Sequence, residues 1–188
     1  GVDIGCGMYT VELGPVNIDF ERVDAAVHEI PSGRGVWEGR MERFDLTGLA
    51  CYRSLKQTKR LERSLGTLGG GNHFIEIDVA SDGNKYLVIH SGSRNLGKQV
   101  AELYQALAVD LNLGKANYFE QRDEIIRTYK EQGRRSEIQA ALKSLEAEWK
   151  EKEPTMPADL CYLYGTYLED YLYDVEICQQ FARRSRER

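Results

Sequence analysis

Three short stretches gather most of the residue types in this chain that could hold a metal ion or a phosphate. The first, Asp3-Ile4-Gly5-Cys6-Gly7-Met8, sets a carboxylate three positions before a thiol, among glycines that permit unusual backbone angles. A carboxylate and a thiolate together suit a borderline divalent ion such as manganese, zinc or iron, and binding one would keep Cys6 deprotonated. The plainer alternative is a small buried cysteine beside a turn aspartate. The second, Gly69-Gly70-Gly71-Asn72-His73-Phe74-Ile75-Glu76, offers backbone that a phosphate can approach closely, with an amide, an imidazole and a carboxylate from Asn72, His73 and Glu76. It is not a P-loop, because no Gly-Lys-Ser/Thr follows. Nor is it a dinucleotide fingerprint, because a strand rather than a helix comes next. A turn with a hydrogen-bonded histidine is the alternative. The third, His90-Ser91-Gly92-Ser93-Arg94-Asn95-Leu96-Gly97, places a histidine at a strand end, then hydroxyls, an arginine and the N–H groups of a starting helix. There His90 could take a metal while Ser93, Arg94 or the backbone holds phosphate; an N-cap serine beside a solvated arginine is the plainer case. Two of the three histidines fall in such clusters, whereas His28 has only Glu29 as a ligand-like neighbour and reads as structural.

The elements that must position these groups follow from hydrophobic periodicity. A strand is expected over residues 8–14 and a helix over 17–30, with Ile18, Val23, Val27 and Ile30 on one face, broken by Pro31-Ser32-Gly33-Arg34-Gly35. Alternation from Ile75 onward, the turn residues Ser81-Asp82-Gly83-Asn84 and a second strand over 85–90 predict a β-hairpin. The next helix carries Leu96, Val100, Leu103 and Leu107 as a core stripe. Residues 117–152 are strongly charged, with Ile138, Leu142, Leu145 and Trp149 as a narrower stripe and Gly133 between two helical stretches, which predicts a helical hairpin. Asp159 is expected to cap a long final helix with Leu160, Leu163, Tyr167, Tyr171, Val175 and Cys178 facing inward, and the tyrosines between 162 and 173 to pack rather than stack on bases. The basic 183–188 end suits the helix dipole.

At 188 residues the chain has the size of one compact unit, and 41% apolar and 29% charged residues describe an ordinary globular protein. No apolar run approaches the roughly 20 residues of a membrane-spanning helix, and no signal peptide opens the chain, so no membrane partner and a cytoplasmic location are expected. The opening lacks methionine and resembles the interior of a domain, as if the numbering began within a longer protein. Four scattered cysteines do not make a disulfide scaffold. A net charge of −5 argues against a surface coated in positive charge but leaves room for a local basic groove.

Taken over their full extents, Gly1-Val2-Asp3-Ile4-Gly5-Cys6-Gly7-Met8, Gly66-Thr67-Leu68-Gly69-Gly70-Gly71-Asn72-His73-Phe74-Ile75-Glu76 and His90-Ser91-Gly92-Ser93-Arg94, in this order, resemble the RtcB family of RNA-splicing ligases, and the stretch 159–184, with Gly165, Tyr171 and Asp174, is similar to the helix that follows in that family. The resemblance covers essentially the whole chain and implies an α+β fold of β-sheets flanked by helices. Residues 1–188 would then form a single partial domain, incomplete without the family's C-terminal half, with a helical insertion at about 115–157. It also implies a two-manganese site with Asp3, Cys6, His73 and His90 as ligands, the cysteine bridging both ions, so that the four side chains converge on one pocket. Asn72 would contact the phosphate of GTP or GMP, Phe74 would lie beside the nucleotide, and Glu76 would help recognise guanine. The implied reaction forms a guanylated histidine from GTP and passes GMP to an RNA 3′-phosphate, itself derived from a 2′,3′-cyclic phosphate; a 5′-hydroxyl then displaces GMP. An archease-like activator is a further implied partner. The family's guanylated histidine, a further histidine ligand and a guanine-binding lysine lie beyond His90 and find no counterpart here, so this segment alone is expected to be inactive. A metal-dependent RNA phosphoesterase and a non-catalytic nucleotide- or RNA-binding module are the alternatives.

Overall fold

The computed structural model describes residues 4–150 and 156–188, and the fold is mixed α and β. In chain order the elements are β1 (Gly7–Gly14), α1 (Phe20–His28), α2 (Thr58–Glu62), β2 (Phe74–Val79), β3 (Lys85–Ser91), α3 (Arg94–Asn112), α4 (Lys115–Glu131), α5 (Ile138–Lys150) and α6 (Thr166–Arg186). Short 3-10 turns at Tyr52–Ser54, Arg135–Glu137 and Ala158–Leu160 fall between them. Two compact units emerge, one comprising Gly1–Leu103 with Leu168–Arg188 and the other Tyr104–Tyr167.

In the first unit the strands form an antiparallel sheet in the order β1-β3-β2. The predicted hairpin is present, held at its tip by the Asn84 N–H donating to Asp82 Oδ1 at 3.0 Å. Its partner β1 joins the opposite edge of β3, so that β3 is central. The register aligns Phe74 with His90 and His90 with Met8. Because side chains alternate along a strand, Phe74, Glu76, Val88, His90, Met8 and Thr10 share one face, while Ile75, Ile77, Leu87, Ile89 and Val11 share the other. α1 begins as its sequence demands, with Asp19 Oδ1 accepting the Arg22 N–H at 3.1 Å.

Leu46, Leu61, Leu65, Leu96, Val100, Cys178 and Phe181 form the core of this unit, with Phe44 packed edge-on against Phe181 at 5.2 Å. Asp174 is fully buried in α6 and accepts the N–H groups of Ala50 at 2.7 Å and Cys51 at 3.1 Å, fastening an irregular segment onto the helix. Removing that carboxylate leaves two part-buried N–H groups without this acceptor. Asp174→Ala is therefore expected to cost about 2–4 kcal/mol, read as a lowered denaturation midpoint of the intact protein; an unchanged midpoint would show that the two amides have another acceptor.

The second unit contains the predicted helical hairpin, α4 and α5 around Gly133, which adopts φ +73°. Leu145 and Trp149 are buried on α5, while Ile138 and Leu142 are only half-buried. Three expectations need correction. The buried hydrophobic residues of α3 are Leu96, Val100, Tyr104, Ala108 and Leu111, spaced by four, four, four and three rather than by the predicted four, three and four, and Leu103 and Leu107 are only half-buried. The final helix starts at Thr166, not after Asp159, which sits in a separate 3-10 turn; Leu160 is exposed there. Tyr162, Tyr164 and Tyr173 are exposed rather than packed. Among the described residues no helix is long and apolar enough to cross a membrane.

Candidate metal centre

The side chains that could hold a metal come from three separate places in the first unit: the lead-in to β1, the loop before β2 and the end of β3. Cys6 Sγ lies 3.3 Å from His90 Nε2 and 3.8 Å from His73 Nε2, and the three ligand atoms all fall within 4.8 Å of one another. One thiolate and two imidazoles at these separations can surround a single borderline divalent ion. The tautomer is favourable as well. His73 Nδ1 donates to the Leu68 carbonyl at 3.1 Å, which leaves the Nε2 lone pair facing the cluster, the outer hydrogen bond that orients a histidine ligand. His90 is fixed from the side by Phe74, whose ring stacks on it at 5.3 Å and 18°. The Asn72 amide nitrogen reaches His90 Nε2 at 3.4 Å.

Glycines make this packing feasible. A Cβ on Gly69 would stand 1.8 Å from Arg94 Nη1 and 2.6 Å from His73 Nδ1, and Gly69 adopts φ +98°. Arg94, also in the left-handed region at φ +59°, turns its guanidinium back onto the loops, donating from Nη2 to the Gly33 carbonyl at 2.8 Å and from Nε to Thr67 Oγ1 at 3.2 Å. Ser93 is fully buried, its N–H donated to the Ile4 carbonyl at 3.2 Å. Glu76 is exposed and lies two residues beyond Phe74 on the same face of β2. Asp3 lies outside the described residues.

Sequence reasoning missed Arg186. Its Nη1 donates to the carbonyls of Gly5 at 2.9 Å and Ser91 at 2.7 Å, the neighbours of Cys6 and His90, so the last turn of α6 ties together the two segments that carry these ligands. The run of arginines at 183–186 hid it, since nothing in spacing separates a helix-end cation from a brace. The turn at residues 31–35, which in the sequence signals only a helix break, docks on the glycine loop through Gly33 N–H to Gly69 O at 2.7 Å and Leu68 N–H to Pro31 O at 3.1 Å.

The cysteines differ sharply in environment. Cys6 is exposed, Cys161 is buried, burial pushes the Cys178 thiol up to about 12, and burial together with the hydrogen bond to Asp174 pushes Cys51 up as well. Since the thiolate is the nucleophile, a limiting amount of iodoacetamide at about pH 8 is expected to label Cys6 first, and a saturating divalent metal to slow that labelling. Peptide mapping checks both; earlier labelling of Cys51 or Cys178 would contradict the assignment.

Taken together, Cys6, His73 and His90 form a cluster that could hold a metal ion, carried at strand ends of an α+β scaffold. Residues 36–188 match the family model described as tRNA-splicing ligase RtcB, and the chain belongs to that family. It is 30% identical over 213 residues to the RNA-splicing ligase RtcB of Escherichia coli (strain K12), a match that takes in 100% of this chain and 43% of that protein. It is 33% identical over 115 residues to the tRNA-splicing ligase RtcB of Pyrococcus horikoshii, covering 50% of the chain and 13% of that relative. With the tRNA-splicing ligase RtcB of Pyrobaculum aerophilum the identity is 37% over 108 residues, 46% of the chain and 22% of the relative. The chain thus spans less than half the length of these relatives.

Proposed function

We propose that the protein carrying this chain is a manganese- and GTP-dependent RNA ligase that joins ends bearing a 2′,3′-cyclic phosphate or 3′-phosphate to 5′-hydroxyl ends. The observation that carries the reading is the convergence of Cys6, His73 and His90, from stretches 67 and 84 residues distant from Cys6, in a member of the RtcB family. Asp3, Cys6, His73 and His90 would hold the metal, which when bound neutralises phosphate charge and aligns nucleophile with leaving group. Cys6 contributes the thiolate, and His73 presents Nε2 because Leu68 holds its other nitrogen. Asn72, beside His90, would donate to a nucleotide phosphate, Phe74 would flank the nucleotide, and Glu76 would accept from guanine. Ser93 and Arg94 would act on the RNA phosphate side, with Ser93 contributing through the packing of its segment rather than its enclosed hydroxyl. The histidine that becomes guanylated would come from outside the three in this sequence, so residues 1–188 alone would be inactive. We read these residues as one partial domain with 115–157 as an insertion, acting in the cytoplasm without a membrane partner, with an archease-like activator as a candidate helper.

The test is incubation of the intact protein with radiolabelled GTP and manganese, followed by RNA bearing the stated ends. Covalent GMP and a joined RNA product are expected. Manganese-dependent opening of the cyclic phosphate without GMP transfer would instead make the protein an RNA phosphoesterase, and neither activity would make it a binding module.

A further inference from the structure

We propose that Arg34, Arg60 and Lys98 form a binding site for a backbone phosphate of the RNA strand, immediately beside the metal centre. The inference rests on the ligase reading and deepens it by naming where the strand is held. A cavity of about 510 Å³ is lined by Arg34, Arg60, Arg94, Lys98 and His73, among others, and no carboxylate appears in its lining among the described residues. That volume is within the usual range for ligand pockets, about 300–1,000 Å³. Four cations around one cavity, in a chain whose net charge is −5, concentrate positive potential at a single place.

The walls are built rather than accidental. The turn at residues 31–35 is zipped to the glycine loop by the Gly33–Gly69 and Leu68–Pro31 backbone bonds. Arg94 ties the same turn down by donating to Gly33 O at 2.8 Å, and an Arg60 Nη2 N–H goes to the Arg34 carbonyl. Arg94 and Arg60 therefore brace the wall as well as charging it, whereas Arg34 and Lys98 line the cavity while remaining exposed. Lys98 has Glu102 for a neighbour at 3.7 Å, but both side chains are 58% exposed, and such a pair is worth little in water. His73 belongs both to this lining and to the ligand cluster, so an anion lodged here sits one side chain from Cys6.

The lining also separates the strand from the nucleotide as the source of that phosphate. Its apolar members are Val36 and Leu61 and its one ring is His73, so it offers no platform for a base. Phe74 and Glu76, expected to serve guanine, do not line it. Cations without base contacts are the signature of sequence-independent backbone binding.

The test is the double variant Arg34→Gln/Lys98→Gln of the full-length protein, chosen because both side chains are exposed and neither braces the wall. Affinity for a single-stranded RNA oligonucleotide with a 3′-phosphate is measured by fluorescence anisotropy across a salt series, with GTP affinity measured in parallel. The expected result is RNA binding weakened about tenfold and a plot of log affinity against log salt shallower by about 0.7, the value for one phosphate contact on a single strand. An RNA affinity and salt slope equal to those of the unaltered protein would overturn the proposal. So would a loss of GTP affinity with RNA affinity intact, which would give the cavity to the triphosphate. Ligation by the unaltered protein together with an unchanged salt slope in the variant removes only this site. Failure of the unaltered protein to bind RNA, while it still takes up metal, removes the ligase reading with it.

Discussion

Cys6→Ala is expected to lower the affinity of the intact protein for manganese or cobalt by about two orders of magnitude and to abolish RNA ligation. Its Sγ is the atom shared by both close contacts in the cluster, 3.3 Å from one imidazole and 3.8 Å from the other, so deleting it leaves two neutral nitrogens and no anionic ligand among the described members of the site. A thiolate also supplies the charge that offsets a divalent cation, and its loss removes the proton release that accompanies binding. Cobalt makes the readout direct, because the unaltered protein should show sulfur-to-metal charge-transfer absorption that the variant lacks. His28→Ala is the control expected to retain both metal binding and ligation, since His28 stays on α1 with Nδ1 at 2.9 Å from the Asp24 carbonyl. Normal turnover by the Cys6 variant would remove the assignment.

Gly69→Ala is expected to weaken metal binding about tenfold although it changes no ligand, in line with the 10–100-fold effect of disturbing the groups that orient metal ligands. The added methyl would fall 2.6 Å from His73 Nδ1, the nitrogen that Leu68 O holds, and 1.8 Å from the Arg94 guanidinium. Left-handed backbone strain adds about 1–3 kcal/mol. Gly71→Ala separates the two effects: it has a similar positive φ of +78° but nothing within 4 Å of its would-be Cβ. It should lose stability alone, with cobalt affinity retained. Equal cobalt affinity in the Gly69 variant and the unaltered protein would show that the loop relaxes around the methyl without moving His73.

The residues that the structure brings together were legible in the sequence because each sits in a motif with its own local chemistry. Cys6 lies between glycines, His73 follows a glycine run, and His90 ends an alternating strand. The hairpin was legible too, since alternation and a four-residue turn are local signals. What escaped was everything set by distant packing. β1 could be read as a strand, but its place against β3 rather than β2 depends on pairing across more than seventy residues. Arg186 looks like any helix-end arginine until Gly5 and Ser91 are beside it. Leucine outranks tyrosine and alanine in hydrophobicity, so the sequence points the α3 stripe through Leu103 and Leu107, whereas Tyr104 and Ala108 are the enclosed residues. Likewise Asp174 breaks an apolar helical face for a reason that becomes visible only with the amides of Ala50 and Cys51 opposite it.

The hairpin register gives its far tip control over the chemistry at its base. Phe74 lies against His90 only because Val79 is paired with Lys85 five positions further along β2, about 17 Å away at strand spacing. One extra residue in the Asp82–Asn84 bend, if absorbed as a one-step slip of β2, would rotate every β2 side chain to the reverse side. Ile75 would then face His90, and both Phe74 and Glu76 would turn away from the ligand cluster. The length of a solvent-facing bend thus works as a remote alignment gauge for the end of the sheet that carries the Cys6, His73 and His90 cluster.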